Sequence, residues 1–519
     1  MSEHAIRSIL IVGGGTAGWM AANLLAVRLK GLPIAITLVE SPEIGTVGVG
    51  EATVPAIRDY LRAIDADIFD VMHQTQGTVK LGIEFRDWSG RGESFFHPFG
   101  RYGADAFGVP FHQYWLKRRA AGDRTPLAHY CLPTRLAMAG QVLLPAEPVP
   151  NDLGNFDWAI HFDAGLFAAY LSRRARDELN VRHVQGKVRD VTLHPESGDI
   201  THVVLEDEQV LEADLFVDCS GFRSLLLGSA LGVPFEDWGD LLPCNRAVAM
   251  ACVHGDAITP YTRATARTAG WQWRIPLQHR VGNGYVYDGS LISDDEATAV
   301  LLGSLEGEAL SQPNLLRFRA GHRVRIWERN CVGIGLAAGF LEPLESTSIT
   351  LIQSGIERLL NHFPDRGFAP ALAAEFNRIT TLEYARIRDF LLLHYWANRR
   401  DGETLWDRAR GLDLPDTLQA RIAAFTQAGK LPRLEWDTFQ PPSWLSMFAG
   451  FDLLPVRHDP LADRMADTDL ATAFTRMDEA LTQASAAAPS HADFLTGTGA
   501  ATAAPSPVHR PQQVAQEQT

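Results

Sequence analysis

The sequence predicts a mixed α/β fold (α+β mixed), in which an N-terminal α/β portion is interleaved with a β-sheet portion and followed by a C-terminal helical region. Three observations predict it. An apolar run at Ser8–Val12 leads into glycines and then into an apolar helical pattern over Trp19–Leu29. A second buried strand is predicted at Ile34–Val39. Helical patterns dominate from Ile349 to about Ala428.

Further strands are predicted where later apolar runs end in glycine or small residues. Ala213–Cys219 and Cys331–Gly335 have this pattern. Ile200–Leu205 and Tyr285–Asp288 alternate instead, which suits an antiparallel sheet that carries a substrate. Because the two kinds of segment alternate along the chain, we expect residues 1–483 to form a single body without clean internal boundaries.

The end of the chain differs in composition from the rest. From Ala484 onward it consists mainly of Ala, Ser, Thr, Pro and Gln, with few bulky apolar side chains. Such a segment buries too little surface to offset its ordering entropy. Residues 484–519 are therefore predicted to be a disordered tail.

Composition excludes several classes of protein. The 519 residues are 46% hydrophobic and 21% charged, which is typical of a soluble chain. No apolar run is long enough to span a membrane, and Met1–Leu10 carries no signal-peptide segment. A net charge of −15 argues against a nucleic-acid partner. Five scattered cysteines without metal-ligand spacing predict a reduced, cytoplasmic protein without a metal site.

A glycine fingerprint follows the first strand and opens the first helix, as in a Rossmann-like nucleotide-binding unit. The residues that we expect to hold a pyrophosphate there are Gly13, Gly15, Thr16, Ala17 and Gly18. Glu40 closes the second strand, where an acid usually binds ribose hydroxyls. A glycine-rich turn between core elements is the alternative, but strand, helix, strand and acid occur here in the required order.

FAD suits this chain better than NAD. A second small-residue strand turn occurs late, at Gly333–Gly339, with an earlier companion at Asp214–Gly221. Only one fingerprint is present, so the sequence offers no dedicated NAD(P)H site. Reducing equivalents are therefore expected from outside the protein.

Four motifs carry a more specific resemblance. They are Gly48–Thr53, the lysine segment Val79–Ile83, the W-x-W-x-I-P motif Trp271–Pro276, and Phe340–Thr347. Over residues 5 to about 455 the chain resembles the flavin-dependent tryptophan halogenase family. The resemblance implies a flavin monooxygenase-like fold and FAD that is supplied reduced by a separate flavin reductase. It also implies that a halide is oxidised to hypohalous acid, which moves through a tunnel to a lysine beside an aromatic substrate.

The resemblance assigns catalytic roles to Lys80 and Glu345. Lys80 would hydrogen-bond the hypohalous acid or become a haloamine next to one ring carbon. Glu345 would balance the charge of Lys80 and take the proton that leaves the ring. The alternatives from residue type alone are a solvated surface lysine and a helix-capping acid.

The halide would bind at Thr347 and Ser348, where donors meet near a predicted helix N-terminus. The family often has glycine at the position of Ser348, so the preference for chloride or bromide stays open. An ordinary helix cap is the alternative interpretation.

The resemblance also places residues around the flavin. Those implied to contact FAD in addition to the fingerprint are Ser41, Ala52, Val188, Leu336 and Ile349. Trp271 and Trp273 would line the flavin side and keep the substrate from reaching the flavin directly. Since they are two residues apart, they could instead be core aromatics on one face of a strand.

The aromatic substrate would lie between Phe99 and Trp444, beside His97. A structural histidine is the alternative for His97. Only Ser89–Phe95 separates the lysine segment from His97, where tryptophan-specific members have a longer covering loop. Asp437–Pro455 also lacks their tyrosine-rich pattern. We therefore expect a small indole-like or phenolic substrate, and a larger or carrier-bound one stays open.

Two other functions are consistent with a flavin fold. An aromatic flavin monooxygenase would insert hydroxyl, but it does not need a lysine such as Lys80. A non-catalytic flavin-binding protein would not need the complete catalytic set. The oligomeric state is open, with a homodimer among the options.

Overall fold

The computed structural model describes residues 4–42, 50–146, 149, 151–255 and 257–502. The strands are, in chain order, β1 (Ser8–Val12), β2 (Ala35–Glu40), β3 (Gly50–Ala52), β4 (Thr78–Lys80), β5 (Gly82–Arg86), β6 (Ser94–Pro98), β7 (Ala159–Asp163), β8 (Arg182–Gln185), β9 (Val188–Leu193), β10 (Ile200–Leu205) and β11 (Val210–Glu212). They continue with β12 (Leu215–Asp218), β13 (Phe235–Asp237), β14 (Arg246–Cys252), β15 (Thr262–Arg267), β16 (Gly270–Pro276), β17 (Val281–Tyr287), β18 (Asn314–Arg317), β19 (Gly321–Arg323), β20 (Trp327–Glu328), β21 (Cys331–Gly333) and β22 (Gly339–Phe340).

The helices follow the same numbering. They are α1 (Thr16–Arg28), α2 (Ile57–Ala63), α3 (Ile68–Gln74), α4 (Phe111–Ala120), α5 (Leu132–Met138), α6 (Ala164–Asp177), α7 (Asp294–Leu302), α8 (Thr347–Asn361), α9 (Pro370–Trp396), α10 (Thr404–Arg410), α11 (Asp416–Ala428), α12 (Pro441–Gly450), α13 (Asp467–Ala487) and α14 (His491–Gly497). Within the residues described, none of these helices is long and apolar enough to cross a membrane.

A six-stranded sheet forms the nucleotide-binding portion, in the order β20-β21-β12-β1-β2-β8. Its strands pair in parallel except β20, which adds an antiparallel edge. The apolar side chains of β1 and of α1 are buried, because the helix packs against both α6 and α8. The predicted Rossmann-like order of strand, helix and strand is confirmed.

A seven-stranded sheet forms the second portion, in the order β18-β14-β17-β16-β15-β5-β6. Three smaller sheets of three strands each accompany it. The chain enters the six-stranded sheet, leaves it for the seven-stranded sheet and returns at β8, β12 and β21. This alternation confirms the predicted interleaving. Strand β10, however, pairs with β9 and β11 in a separate sheet, so Ile200–Leu205 does not belong to the sheet that contains Tyr285.

The predicted disordered tail is wrong for residues 484–502. Helix α13 continues to Ala487, and α14 follows after Ser490, whose hydroxyl accepts the Asp493 backbone N–H. The ring of Phe494 lies 6.4 Å from that of Phe69, and Leu495 is buried. The composition averaged over residues 484–519 conceals the two apolar side chains, Phe494 and Leu495, and the helix cap at Ser490. Residues 503–519 lie outside the described part of the chain.

Candidate active site

The glycine turn after β1 brings three segments close together. Gly13 has φ +117°, and a Cβ there would lie 2.2 Å from the carbonyl oxygen of Cys219. A Cβ on Gly14 would lie 1.6 Å from Glu40 Oε2. Gly18 is not on the cavity wall; a Cβ there would lie 1.8 Å from Gly13 O, so Gly18 lets α1 pack against the turn.

A cavity of about 450 Å³ begins at this turn and extends between the two portions of the fold. The predicted residues that line it are Gly13, Gly15, Thr16, Ala17, Glu40, Ser41, Ala52, Val188, Trp271, Trp273, Leu336, Ser348 and Ile349. A Cβ on Gly15 would meet no atom within 4 Å among residues 4–42, 50–146, 149, 151–255 and 257–502. This leaves room for a ligand against the backbone at the N-terminus of α1, as a pyrophosphate requires.

The two tryptophans occupy one face of β16, with ring centroids 6.3 Å apart. Trp271 Nε1 donates to Glu342 Oε2 at 2.7 Å, and the Tyr395 hydroxyl donates to the same oxygen at 2.6 Å. Burial raises the pKa of Glu342 to about 7, which the two donors oppose. Trp273 Nε1 is buried and has no partner among the residues that the structure describes, so it can donate to a bound group. This donor, the glycine turn and the acid Glu40 fit FAD.

Lys80 ends β4 and is completely buried. Its Nζ donates to Thr53 O at 2.8 Å and to Ser346 Oγ at 2.9 Å, and lies 5.1 Å from the centre of the Phe99 ring. Burial lowers the pKa of Lys80 to about 7, although the carboxylate of Glu345 acts to raise it. The interpretation as a solvated surface lysine is therefore excluded.

Glu345 is also buried, in a short 3₁₀ turn before α8. It makes no ion pair with Lys80 within 4.0 Å; its hydrogen-bond partners are His97 and His394 instead. Both oxygens lie 3.0–3.1 Å from His97 Nδ1, and Oε1 lies 2.8 Å from His394 Nε2. Burial alone would raise the pKa of Glu345, but the two histidines lower it to about 2. Glu345 thus acts on the charge of Lys80 through the electric field of its carboxylate, and the two side chains form no direct ion pair.

The N-terminus of α8 opens beside Lys80. Ser346 precedes the helix with φ +60° and lines the cavity as well as accepting the lysine hydrogen bond. Ser348 also lines the cavity, whereas Thr347 is buried and its hydroxyl has no partner in the described part of the chain. The first N–H groups of a helix have no intrahelical acceptor, so this end suits an anion. No group of three or more His, Cys, Asp or Glu side chains in the described residues could hold a metal.

Comparisons with known proteins agree with this geometry. The family model described as tryptophan halogenase matches residues 8–467. The chain belongs to the tryptophan halogenase family. Tryptophan 6-halogenase SttH of Streptomyces toxytricini is 37% identical over 496 residues, which are 90% of this chain and 94% of the relative.

Two solved structures of flavin-dependent halogenases are similar over nearly the whole chain. BrvH of Brevundimonas sp. BAL3 is 48% identical with a TM-score of 0.93, covering 96% of this chain and 100% of its own. Xcc4156 of Xanthomonas campestris is 42% identical with a TM-score of 0.92, covering 97% and 100%. The protein is therefore an FAD-dependent halogenase, an oxidoreductase that uses halide and FAD reduced by a partner reductase. This decides against the monooxygenase and the non-catalytic alternatives.

The predicted substrate residues of this halogenase lie in an aromatic cluster. The His97 ring lies 6.4 Å from Phe99, and 5.8 Å and 6.4 Å from two rings that the sequence analysis missed, Phe390 and Phe439. Those two rings stack on each other at 3.8 Å. Trp444 makes no ring contact with Phe99 in the described structure; its ring neighbours are Phe390, at 4.9 Å, and Phe448, at 6.3 Å.

Two further contacts hold the Trp444 side chain in place. The guanidinium of Arg421 lies 4.0 Å from the Trp444 ring, and Trp444 Nε1 donates to Phe439 O at 3.1 Å. Two rings that enclose a substrate need not contact each other, so Phe99 and Trp444 remain the predicted walls of the substrate site. Phe390 is a further ring beside Trp444.

His394 is the other important residue that the sequence analysis missed. It follows the apolar residues Phe390–Leu393 on α9, where a histidine is most often structural. The sequence offers one indication, a histidine within an apolar helical segment, which is typical of a buried position. Nothing in the neighbouring residues links His394 to Glu345.

Proposed function

We propose that this halogenase acts on indole or a similarly small, electron-rich ring rather than on free tryptophan. The observation that carries the proposal is the aromatic cluster around His97. Phe390 and Phe439 place two further apolar rings beside His97, and such surroundings suit a small aromatic ring better than a charged amino-acid head group. Two similar structures, of BrvH and Xcc4156, are described only as flavin-dependent halogenases, whereas the 37% identical relative SttH acts on tryptophan.

FAD would be held by the glycine turn, by Glu40 and by the cavity residues named above, with the Trp273 indole N–H available to it. Reduced FAD supplies, with oxygen, the oxidising power that converts halide into hypohalous acid. Trp271 and Trp273 would separate the flavin from the substrate. The anchoring of Trp271 on Glu342 keeps that wall rigid.

The halide would bind at the N-terminus of α8, beside the Thr347 hydroxyl and Ser348. The support is a buried hydroxyl without a partner at a helix end that opens on the cavity. A hydroxyl and backbone N–H groups can donate to either halide, so both chloride and bromide belong in the first assay.

Lys80 would receive the halogen from the cavity side. Ser346 supports this route, because its side chain accepts from Lys80 while the residue lines the cavity. With a pKa of about 7, Lys80 has a free amine available near neutral pH. Such an amine can bind the hypohalous acid or carry the halogen to the ring, and Glu345, ionised, would accept the ring proton.

A reductase that supplies reduced FAD is the partner, and exchange of free flavin would suffice for it. A cytoplasmic location is part of the proposal, supported by five free, buried cysteines.

The test uses the purified full chain with FAD, an unrelated flavin reductase, NADH and air. Indole, a phenol and free tryptophan are offered separately with chloride or bromide, and products are identified by mass spectrometry. The proposal predicts halogenated indole or phenol at a kcat/KM at least about tenfold above that for free tryptophan. A preference for free tryptophan, or a hydroxylated product, would contradict it.

A further inference from the structure

The seven-stranded sheet carries a second cavity, of about 320 Å³, on the side that faces away from the FAD cavity. Successive side chains of a strand point to opposite sides of the sheet. In β15, Thr262 and Ala264 line the FAD cavity, whereas Arg263, Thr265 and Arg267 line the second cavity. The arginines of the described chain that reach this second cavity are Arg86 on β5, Arg263 and Arg267 on β15, and Arg274 on β16.

Three of these guanidinium groups are paired with two carboxylates. Arg263 Nε lies 2.9 Å from Glu84 Oε2, and Arg263 Nη1 lies 2.9 Å from Glu306 Oε1. Arg86 Nε lies 2.8 Å from the other oxygen of Glu84, and Arg274 Nε lies 2.8 Å from the other oxygen of Glu306. Because three cations share two anions, one positive charge is left over on this side of the sheet.

Arg267 differs from the other three, because it forms no ion pair in the described part of the chain. Its Nε donates to Gln272 Oε1 at 2.6 Å. Gln272 Nε2 donates in turn to Ser304 Oγ at 2.9 Å, which fixes the amide that holds the guanidinium group. The two terminal nitrogens of Arg267 make no hydrogen bond to the described residues, so their N–H groups are available to a ligand.

The surroundings of Arg267 leave its charge without a counter-ion. Burial lowers the pKa of Arg267, although the carboxylate of Asp87 acts to raise it. A partly buried cation without a paired anion is energetically unfavourable. Arg267 also lines an adjoining cavity of about 310 Å³ together with Arg91 and Arg400, which share the carboxylate of Glu403. Counting Asp87, which lines both cavities, each cavity still has more guanidinium than carboxylate groups.

We propose that the cavity at Arg267 is a binding site for an oxyanion, namely a phosphate or carboxylate group of a small molecule. The guanidinium group is planar, and its two terminal nitrogens can donate to two oxygens of one such group at once. Gln272 already orients the guanidinium group, so little side-chain freedom is lost on binding. A volume of about 320 Å³ admits a small molecule that carries the oxyanion. The site lies across the sheet from the flavin, and it does not depend on the substrate proposed above.

The first test measures binding of inorganic phosphate and of succinate to the full-length protein. The protein is saturated with FAD, whose pyrophosphate occupies the turn at the N-terminus of α1. Isothermal titration calorimetry is carried out in a constant background of sodium chloride, so that only a site that prefers an oxyanion to a monatomic anion gives a signal. We expect at least one of the two to bind at a single site with a Kd of about 1 mM or below.

The two oxyanions distinguish the chemistry of the natural ligand. Tighter binding of phosphate would support a phosphate-bearing ligand, and tighter binding of succinate would support a carboxylate. Binding of neither oxyanion would overturn the proposal, whether or not the enzyme halogenates any substrate tried.

The second test locates the binding site. Arg267→Gln removes the guanidinium fork and should weaken oxyanion binding at least about tenfold. The matched control is Arg317→Gln, on β18 of the same sheet, which removes the same charge from a side chain that is 75% exposed and lies outside the cavity. This control should bind the oxyanion as the wild type does. Unchanged affinity in Arg267→Gln, or an equal loss in Arg317→Gln, would contradict the proposal.

A further variant keeps the test decisive if Arg267→Gln does not fold. Arg86→Gln changes another arginine of the same cavity, whose Nε alone contacts Glu84. It should weaken oxyanion binding at least about threefold, because one positive charge leaves the cavity wall. Circular dichroism confirms that each variant is folded. Wild-type affinity in a folded Arg86→Gln would count against the site in the same way.

Discussion

Lys80 Nζ donates a hydrogen bond to Ser346 Oγ over 2.9 Å, and Ser346 is also part of the wall of the FAD cavity. This single residue joins the nucleotide-binding side to the substrate side. The Phe99 ring lies 5.1 Å from the same Nζ. The contacts of Lys80 with Ser346 and Phe99 support the proposal that the lysine delivers the halogen to an aromatic ring.

The rate of ring halogenation should rise with pH below about pH 7 and become level above it. Burial lowers the pKa of Lys80 to about 7, so the fraction of free amine grows through this range. Single-turnover halogenation between about pH 6 and pH 9 tests this, with Lys80→Arg as an inactive cationic control. A rate that falls as pH rises would show that the ammonium form is the active one.

Glu345→Gln should slow halogenation by roughly 10²–10⁴-fold, because the amide cannot take the ring proton. Formation of hypohalous acid should be unaffected, since Glu345 is not on the cavity wall. A soluble trap for hypohalous acid and the yield of halogenated substrate are measured in the same reaction. Equal loss of both would place Glu345 before the ring step and contradict its assignment.

Gly15→Ala should weaken FAD binding at least about tenfold without lowering stability. Its Cβ would meet no atom of the described residues within 4 Å but would project into the space for the pyrophosphate. Flavin titration and thermal unfolding measure the two effects. Gly497→Ala, on α14 and equally free of clashes, is the matched control and should bind FAD normally.

Phe439→Leu should enlarge the substrate chamber and raise activity on bicyclic or larger rings relative to a small phenol. The Phe439 ring stacks on Phe390 at 3.8 Å and lies 6.4 Å from His97. Phe425→Leu is the control, because that ring stacks on Phe448 at 4.3 Å, away from His97. For each variant and for the wild type, the kcat/KM for a bicyclic substrate is divided by the kcat/KM for a small phenol, and these ratios are compared. An unchanged ratio in Phe439→Leu would show that this ring does not limit the chamber.

Removal of the chain after Ala487 should destabilise the protein by about 1–3 kcal/mol or more. His491 Nε2 accepts the backbone N–H of Val79, next to Lys80, and its Nδ1 lies 3.0 Å from Ile258 O. Without α14 the buried Val79 N–H loses its acceptor. Urea unfolding measures the free energy of unfolding of this truncated chain and of a chain that ends after Thr502. Equal stability would mean that α14 contributes nothing to the strand that carries Lys80.

Features set by neighbouring residues could be predicted from the sequence. The turn from Gly13 to Gly18 depends on backbone conformation and on close approach within a few residues, so its spacing indicates it directly. Trp271 and Trp273 face the cavity because residues two apart share one side of a strand. The motif resemblance added Lys80 and Glu345, and the structure buries both.

Features set by packing between distant segments could not be predicted from the sequence. His394 is 49 residues from Glu345, and His97 is 248 residues from it, so no local pattern brings the three together. Phe439 lies in an irregular segment before α12, where composition gives no indication of a stack. The ordered residues 484–502 depend on an apolar pair that docks on a distant helix.

Delivery of the halogen by Lys80 is tested by comparing wild type with Lys80→Met in the presence of FAD, reductase, bromide and indole. Both should bind FAD equally and consume NADH, because Lys80 is not on the wall of the FAD cavity. We expect the bromine isotope pair in the wild-type product and its loss in Lys80→Met. Comparable brominated product from Lys80→Met would contradict delivery of the halogen by Lys80.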